Sequence, residues 1–148
     1  IKAAYGWLIM KATKASYEEA LLVTAVVIDR VPGDAATALP ELKPLAQLPG
    51  GEALVLVPRY HAFTGYAGKL AERGVRFREI AGNRGPILLT VLAPAGWRLE
   101  GAKELFRQPI LTQPPLERVA VVVEVGALSA SLTTLRARGA RIEHVYDY

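Results

Sequence analysis

The residues best equipped for chemistry are three consecutive ones, Arg59, Tyr60 and His61, which separate a short apolar run from a segment with helical spacing. Turns between a strand and a helix often carry ligand sites, because they expose functional groups on a rigid scaffold. Together these side chains could bind an anion or a carboxylate. His61 taken alone is explained more simply as a solvent-exposed residue at a helix start. We nevertheless predict that all three residues contribute to ligand binding.

A catalytic constellation is not visible in the sequence. Cysteine is absent, which removes disulfides, thiolate nucleophiles and Cys-based zinc or iron–sulfur sites. Ser129 and Ser131 have no base nearby in the chain, and no glycine-rich phosphate loop occurs. We therefore predict no catalytic residue, no metal and no cofactor. This favours a protein that is not an enzyme, without deciding the point.

The second histidine, His144, belongs to an alternating run near the end of the chain. Strict alternation puts His144 on the same face as Ile142 and opposite Glu143. A packed core or interface histidine is therefore expected rather than a catalyst. Trp97, after a Pro-Ala-Gly turn, is either a plug over the core or an exposed anchor, since tryptophan is enriched at interfaces.

Composition bounds the class of protein. The 148 residues carry a formal net charge of +4, and 51% of them are hydrophobic. The arginines alternate with glutamates, as on a solvated surface, so a nucleic-acid partner is not expected. The longest apolar run, Ala20–Ile28, is far shorter than the roughly 20 residues of a membrane span, and we expect a cytoplasmic protein. The chain begins at Ile1 rather than Met, which leaves room for a preceding leader or domain.

An internal repeat is the clearest organisational signal. Apolar residues recur with helical spacing after residue 61 and again, 65 positions later, after residue 126, as in the pair Leu70 and Leu135. Gly74 and Gly139 follow the two segments and are typical C-terminal caps. The pattern predicts two β-α-β units, Glu52–Ala81 and Leu116–Tyr148, that share one sheet.

The N-terminal third is less regular. Tyr5–Ala12 predicts a strand, and Ser16 with Glu19 forms a capping box that predicts a helix over Tyr17–Asp29. The β-branched residues of that segment favour a strand instead. A proline-rich connector follows, with a short helix predicted over Glu41–Gln47.

The middle of the chain is predicted to form a hairpin. Gly82–Gly85 has the composition of a tight turn and precedes an apolar run, Pro86–Ala93, which we expect to pair back as a strand. A short helix over Ala102–Arg107 and a proline-rich connector, Pro109–Pro115, then lead into the second repeat.

These elements predict an α+β, ferredoxin-like sandwich built from two β-α-β halves, with an extra N-terminal strand and helix. We treat 1–148 as one domain, in which 1–34 is the extension and 52–148 the duplicated body. Its apolar content and free sheet edges predict a homo-oligomer formed by sheet-edge or helix-face pairing.

The C-terminal part resembles the ACT domain. The turn formed by Val125, Gly126, Ala127 and Leu128 enters a helix that ends at Gly139 and leads into a final strand, as in that family. ACT domains bind small ligands, often amino acids, at this turn. The resemblance therefore implies that Gly126, Ala127 and Leu128 are ligand-binding residues.

A second stretch looks like a module of the vicinal-oxygen-chelate (glyoxalase-type) fold. It runs from Leu70 through the turn at Gly82 to Pro94-Ala-Gly-Trp-Arg-Leu-Glu100. In that family a terminal glutamate and a histidine bind metal, and Glu100 matches the glutamate. Neither histidine of this chain lies on the opening strand where the family's histidine belongs.

Our hypothesis from the sequence is a non-catalytic regulatory, sensory or assembly domain that self-associates and binds a small anionic ligand. The alternative is a small metal-dependent enzyme on the same scaffold that uses His61 or Glu100. A basic nucleic-acid-binding domain is a third, weaker alternative.

Overall fold

The computed structural model describes residues 22–147. The predicted strand Tyr5–Ala12 and the capping box at Ser16 lie outside these residues, as does the first part of the predicted helix over Tyr17–Asp29. The described strands are β1 (Val23–Ile28), β2 (Lys43–Gln47), β3 (Ala53–Pro58), β4 (Phe77–Ile80), β5 (Pro86–Pro94), β6 (Lys103–Pro109), β7 (Leu116–Glu124) and β8 (Arg141–Val145). The α-helices are α1 (Ala35–Ala38), α2 (His61–Glu72) and α3 (Leu128–Ala137), and Pro49–Gly51 and Val125–Ala127 are 3₁₀ turns.

The described strands form two four-stranded antiparallel sheets, ordered β2-β3-β1-β4 and β6-β7-β5-β8. The predicted α+β sandwich is confirmed at this level, but the prediction of one shared sheet is wrong. β1 pairs with β3 and β4, and β5 pairs with β7 and β8, so each repeat completes its own sheet. The turn Gly82–Gly85 consequently joins two sheets instead of closing a hairpin between paired strands.

The internal repeat covers more of the chain than the sequence indicated, because the sheet of β1–β4 and the sheet of β5–β8 have the same strand order. The offset of 65 positions holds for the helices, where Leu70 and Leu135 are both fully buried. It fails in the strands that precede them: Val57 and Val123 both face the main core, whereas Val122 is half-buried on the other face. The ungapped pairing of Val57 with Val122 was therefore wrong by one residue.

Val23–Ile28 is a strand and not the end of a helix, so the N-terminal extension was also wrong for this segment. β1 is a central strand, paired on both sides, and five of its six residues are buried. Its β-branched residues suit a pleated surface buried on both faces. Burial between two partner strands thus outweighs the helix signal that precedes it.

Two predicted short helices are edge strands. Glu41–Gln47 contains β2, and Ala102–Arg107 contains most of β6. β2 accommodates Pro44 because an edge strand leaves one row of its backbone groups unpaired. The proline-rich connector after β6 closes a hairpin, in which the amide of Ile110 donates to the carbonyl of Leu116. Long-range pairing decides both segments, and local propensity could not reveal it.

One main core combines the inner faces of both sheets with α2 and α3. Phe63 on α2 and Phe77 on β4 lie at its centre, with ring centroids 6.5 Å apart. A smaller cluster on the opposite face of the first sheet includes Val27 and Leu54. Among the described residues, no helix has both the length and the apolar character needed to cross a membrane.

Val26 tests the burial of β1. Its side chain is fully buried in the main core, and we expect Val26→Ala to lower the free energy of unfolding by about 2 kcal/mol through lost apolar burial and a residual cavity. Urea denaturation measures this change. The control Leu45→Ala, at an exposed position of β2, should change stability by less than about 0.5 kcal/mol. Equal losses in the two variants would contradict the central placement of β1.

Candidate functional site

The turn before α2 has an unusual backbone. Strand β3 ends at Pro58, and Tyr60 then adopts φ 60° and ψ −131° as the residue before the helix. A positive φ is costly for a bulky residue, by about 1–3 kcal/mol, and such strain is concentrated at functional sites. The Tyr60 side chain makes no capping hydrogen bond to this helix start. The predicted ligand-binding turn is therefore a strained strand-to-helix junction that presents the start of a 12-residue helix.

A cleft of about 580 Å³ opens at this helix start. We call it the α2 cleft. One wall is the first turn of α2, and the other is the end of α3 with the loop into β8. Its lining residues are His61, Ala62, Thr64, Gly65, Arg136, Gly139, Ala140, Arg141, Ile142 and Glu143.

The basic and acidic residues in the lining of the α2 cleft are a histidine, two arginines and a glutamate. Arg136 forms an ion pair with Glu72 of α2. Glu143 accepts two hydrogen bonds from Arg118, at 2.7 and 2.6 Å, and this guanidinium lowers the pKa of the Glu143 carboxyl. Arg141 is exposed, and within residues 22–147 no ion pair engages it. Residues outside the lining thus pair with both Glu143 and Arg136, and Arg141 is the lining guanidinium that no ion pair engages within residues 22–147.

Antiparallel packing of α2 on α3 creates the cleft. Thr64 near the start of α2 accepts a hydrogen bond from the amide of Val145 at 2.9 Å, which holds the end of β8 against this helix. At the far end, the hydroxyl of Ser129 donates to the carbonyl of Val75. The start of α2 also lines one cleft with Gly139 and Ala140 of the loop after α3, so each helix start faces the loop that follows the other helix.

The same arrangement produces a second cleft of about 430 Å³ at the start of α3, which we call the α3 cleft. Gly126 and Ser129 stand there where the α2 cleft has His61 and Thr64. Ala71 replaces Arg136, and Arg76 replaces Arg141. The remaining lining residues are Gly74, Ala130, Thr133 and Thr134. The two clefts share their geometry, but the α3 cleft has one basic side chain where the α2 cleft has three.

The predicted residues Arg59 and Tyr60 lie on the other side of the α2 turn. They line a separate cleft of about 560 Å³, to which His61 also contributes. The Arg59 guanidinium is 4.8 Å from the centre of the Tyr60 ring, and its Nε is 3.9 Å from Oδ2 of Asp147. Arg59 therefore has structural partners, and of the three predicted residues His61 alone lines the basic α2 cleft.

The second predicted turn does not join the first. Gly126 lines the α3 cleft, and Ala127 is exposed beside it. Leu128 is completely buried in the core, where it cannot contact a ligand at the surface. Because the helices are antiparallel, the two turns lie at opposite ends of the helix pair. The six predicted residues are thus divided among different surfaces and the core.

The other candidate residues have packing roles. Trp97 packs against the core, and the Arg138 guanidinium lies 5.4 Å from the centre of the Trp97 ring. Trp97 therefore packs over the core, the first of its two predicted roles. His144 contacts the Tyr146 ring at a centroid distance of 4.3 Å. It does not share a face with Ile142, because Glu143 is an extra residue in the pairing with β5. Strict alternation gave the wrong face here because it assumes an unbroken strand.

A metal centre finds no support in the described part of the chain. Between residues 22 and 147, no group of three or more His, Cys, Asp or Glu side chains could hold a metal ion. His61 lines the α2 cleft, His144 lies opposite Thr90 on β5, and Glu100 is exposed after Trp97.

Sequence reasoning missed Arg136 and Arg141 as site residues. The pairing of Arg76 with Arg141 in the two repeats was a usable signal, since both follow the glycine that ends a helix. What the sequence did not contain was the antiparallel contact between α2 and α3, which places these arginines opposite the start of the other helix.

Comparison of the chain with family models, with curated proteins and with solved structures finds no match. The ACT-like and glyoxalase-type resemblances therefore stay predictions from the sequence.

The buried Asp147 yields a pH-dependent prediction. Burial raises the pKa of its carboxyl, although Arg59 acts in the opposite direction. Between the unfolded and the folded pKa, the folded state binds more protons than the unfolded state, so the free energy of unfolding falls as the pH rises through this range. Above the folded pKa, the buried carboxylate destabilises the folded state by a constant amount. We expect Asp147→Asn to be more stable than the parent at pH 7 and to lose this advantage below about pH 4.

Asp34 is the control of opposite sign. A hydrogen bond from Arg73 lowers the pKa of its carboxyl, so its contribution is present at neutral pH and is lost on acidification. Asp34→Asn should therefore be less stable than the parent at pH 7. Urea denaturation across pH 3–8 measures both variants. An Asp147→Asn variant that is destabilised most at neutral pH would contradict the unfavourable burial of this carboxylate.

Proposed function

We propose that this chain is a non-catalytic regulatory, sensory or assembly domain that self-associates and binds a small anion in the α2 cleft. The observation that carries the binding proposal is that His61 and Arg141 line one cleft at the start of α2, with Arg136 in the same lining. The ligand class is a small organic or inorganic anion with a carboxylate or phosphate group.

Two electrostatic contributions support an anion. The start of an α-helix carries a partial positive charge and amide groups directed outwards, which favour carboxylates and phosphates. Arginine adds a planar donor group that suits the same anions. In the α2 cleft the helix start and Arg141 line one volume, so both contributions act on one ligand.

The size of the cleft and its hydroxyl group support a small ligand. A volume of about 580 Å³ lies within the usual range for small-molecule sites, roughly 300–1,000 Å³. The Thr64 oxygen accepts from the Val145 amide, which leaves the hydroxyl proton available for donation. These groups provide binding and orientation, and they favour a binding domain over a catalyst.

The topology supports a ferredoxin-like origin for each half. The first half runs β1-α1-β2-β3-α2-β4, which is the β-α-β-β-α-β order of that architecture. The second half has the same strand order without a helix between β5 and β6. We infer that the molecule is a tandem of two ferredoxin-like modules, the second related to the ACT-like pattern around Gly126.

Anion titration tests the binding proposal. Inorganic phosphate and citrate, added to the full chain, should shift the backbone amide resonances of His61, Ala62 and Thr64. Arg141→Ala should weaken binding by at least about tenfold, because a charged hydrogen-bond donor contributes about 1.5–3 kcal/mol. The matched control is Arg76→Ala, at the equivalent position of the α3 cleft, which should leave the affinity unchanged.

The two arginine variants separate the possible outcomes. Equal weakening by Arg76→Ala and Arg141→Ala would indicate general attraction to a basic surface and contradict a site in the α2 cleft. Shifts at Gly126 and Ser129 in place of His61 and Thr64 would move the site to the α3 cleft. No saturable shift with either anion would overturn the binding proposal.

Gly68 provides a second test that does not change any charge. Arg136 occupies the space beside this helical glycine, and a Cβ at residue 68 would clash with its guanidinium. Gly68→Ala must displace the guanidinium, while it should stabilise the helix itself by up to about 1 kcal/mol. We expect weaker phosphate binding without loss of thermal stability. Unchanged affinity would show that Arg136 does not contribute to the site.

A further inference from the structure

Strand β6 is an exposed sheet edge with apolar side chains. It is the outermost strand of the second sheet, and in the described part of the chain it pairs with β7 alone. Leu105 is 50% exposed and Phe106 is 46% exposed. A free edge of this kind presents backbone donors and acceptors to another strand.

A bulge sets the faces of this edge strand. Opposite β7, Glu104 pairs with Val121 and Arg107 pairs with Val119, and Leu105 is the extra residue between Glu104 and Phe106. Val119 and Val121 both face the core, so Glu104 and Arg107 lie on the same face of the sheet. Their ion pair at 2.8 Å agrees with this placement.

The bulge makes the order of side chains along β6 self-complementary. If a second β6 runs antiparallel about a two-fold axis at Phe106, the two Phe106 rings lie opposite each other. Glu104, with the bulged Leu105 beside it, then lies opposite the partner's Arg107, and the reverse pair follows by symmetry. In a strand without a bulge, Glu104 and Arg107 would face opposite sides and could not pair across such an axis.

A second, outer-face pair follows from the same axis. Lys103 lies opposite Val122, and Gln108 lies opposite Arg118 on β7. Val122 and Arg118 are an even number of residues apart on β7, so Lys103 and Gln108 share one face. The two-fold axis places Lys103 opposite the partner's Gln108, where a donor meets an amide oxygen. Both residues are exposed.

We propose that two copies of this chain associate by antiparallel pairing of their β6 strands about a two-fold axis at Phe106, which joins the second sheets of both copies. This inference specifies the interface for the self-association in the proposed function and rests on that part of it alone. Cross-strand aromatic and opposite-charge pairs stabilise such an edge, and like charges at the same positions destabilise it.

The corresponding edge strand of the first sheet, β2, has an equivalent bulge at Leu45 but lacks the complementary charges. β2 has five residues, of which Lys43 is the sole charged one, and Pro44 removes a backbone donor. No antiparallel register of β2 with itself places opposite charges together. β2 is therefore the matched control edge within the same molecule.

Sedimentation of the full chain over a range of concentrations provides the first test. The parent should approach twice the monomer mass, and Phe106→Glu, which places two like charges on the axis, should raise the dissociation constant by at least about tenfold. Leu45→Glu on β2 should leave it unchanged. A parent dimer that survives Phe106→Glu, or one that Leu45→Glu disrupts instead, would overturn the β6 interface.

Charge exchange at the outer pair provides the decisive test, because it leaves Glu104 and Arg107 in place. Gln108→Lys places like positive charges across the axis, and the double variant Lys103→Glu/Gln108→Glu places like negative charges there. Each protein alone should dimerise more weakly than the parent at low salt. Mixed one to one, they should form a heterodimer at least as tightly as the parent dimerises.

The outcomes separate this interface from self-association in general. A parent chain that stays monomeric at every concentration would remove self-association from the proposed function together with this interface. A parent that dimerises, while the mixed variants associate no better than each variant alone, would overturn the β6 pairing only. Far-ultraviolet circular dichroism of each variant checks that a loss of association does not result from unfolding.

Discussion

The antiparallel packing of α2 against α3 is the contact on which both clefts depend. It brings Thr64 at the start of α2 against Val145 at the end of β8, and Ser129 at the start of α3 against Val75 in the loop that follows α2. Gly68 allows close approach in the middle, since the Arg136 guanidinium occupies the space that a Cβ would need. Two sheets, each complete in itself, are thereby joined into one core, and the concave surfaces arise where the helices end.

The two repeats form clefts of the same geometry, but the side chains that line the two clefts differ. The bulge residue of β4, Arg78, pairs with Glu52 at 3.0 Å, and the bulge residue of β8, Glu143, pairs with Arg118 at 2.6 Å. The two ion pairs have equivalent positions and opposite polarity. In the second repeat the acid is Glu143, which lies in the lining of the α2 cleft. Arg118 pairs with it from the outer face of the sheet. Arg141 is then left as the lining guanidinium without an ion pair among the described residues.

The sequence predicted the parts of the fold that local pattern determines. Helical spacing located α2 and α3, and the glycines after them marked their ends correctly. β1, β2 and β6 were assigned as helix because pairing partners far away in the chain decide those segments, and a capping box or a few helix-favouring residues compete with them only locally. The residues of the candidate α2 cleft were named only in part from the sequence, for the same reason. His61 was recognisable from its own turn, whereas Arg136 and Arg141 become site residues only through the contact between the two helices.

A bulge explains why strict alternation misplaced His144, and bulges also affect the exposed edges of the sheets. One extra residue reverses the face of everything beyond it, as at Glu143, where His144 and Ile142 come to lie on opposite sides. In an interior pair this redirects side chains towards or away from the core. On the edge strand β6 the extra residue interrupts the regular backbone ladder that an unrelated strand would need, and it brings Glu104 and Arg107 to one face. A bulged edge therefore opposes indiscriminate strand addition while it remains compatible with a partner that carries the same bulge.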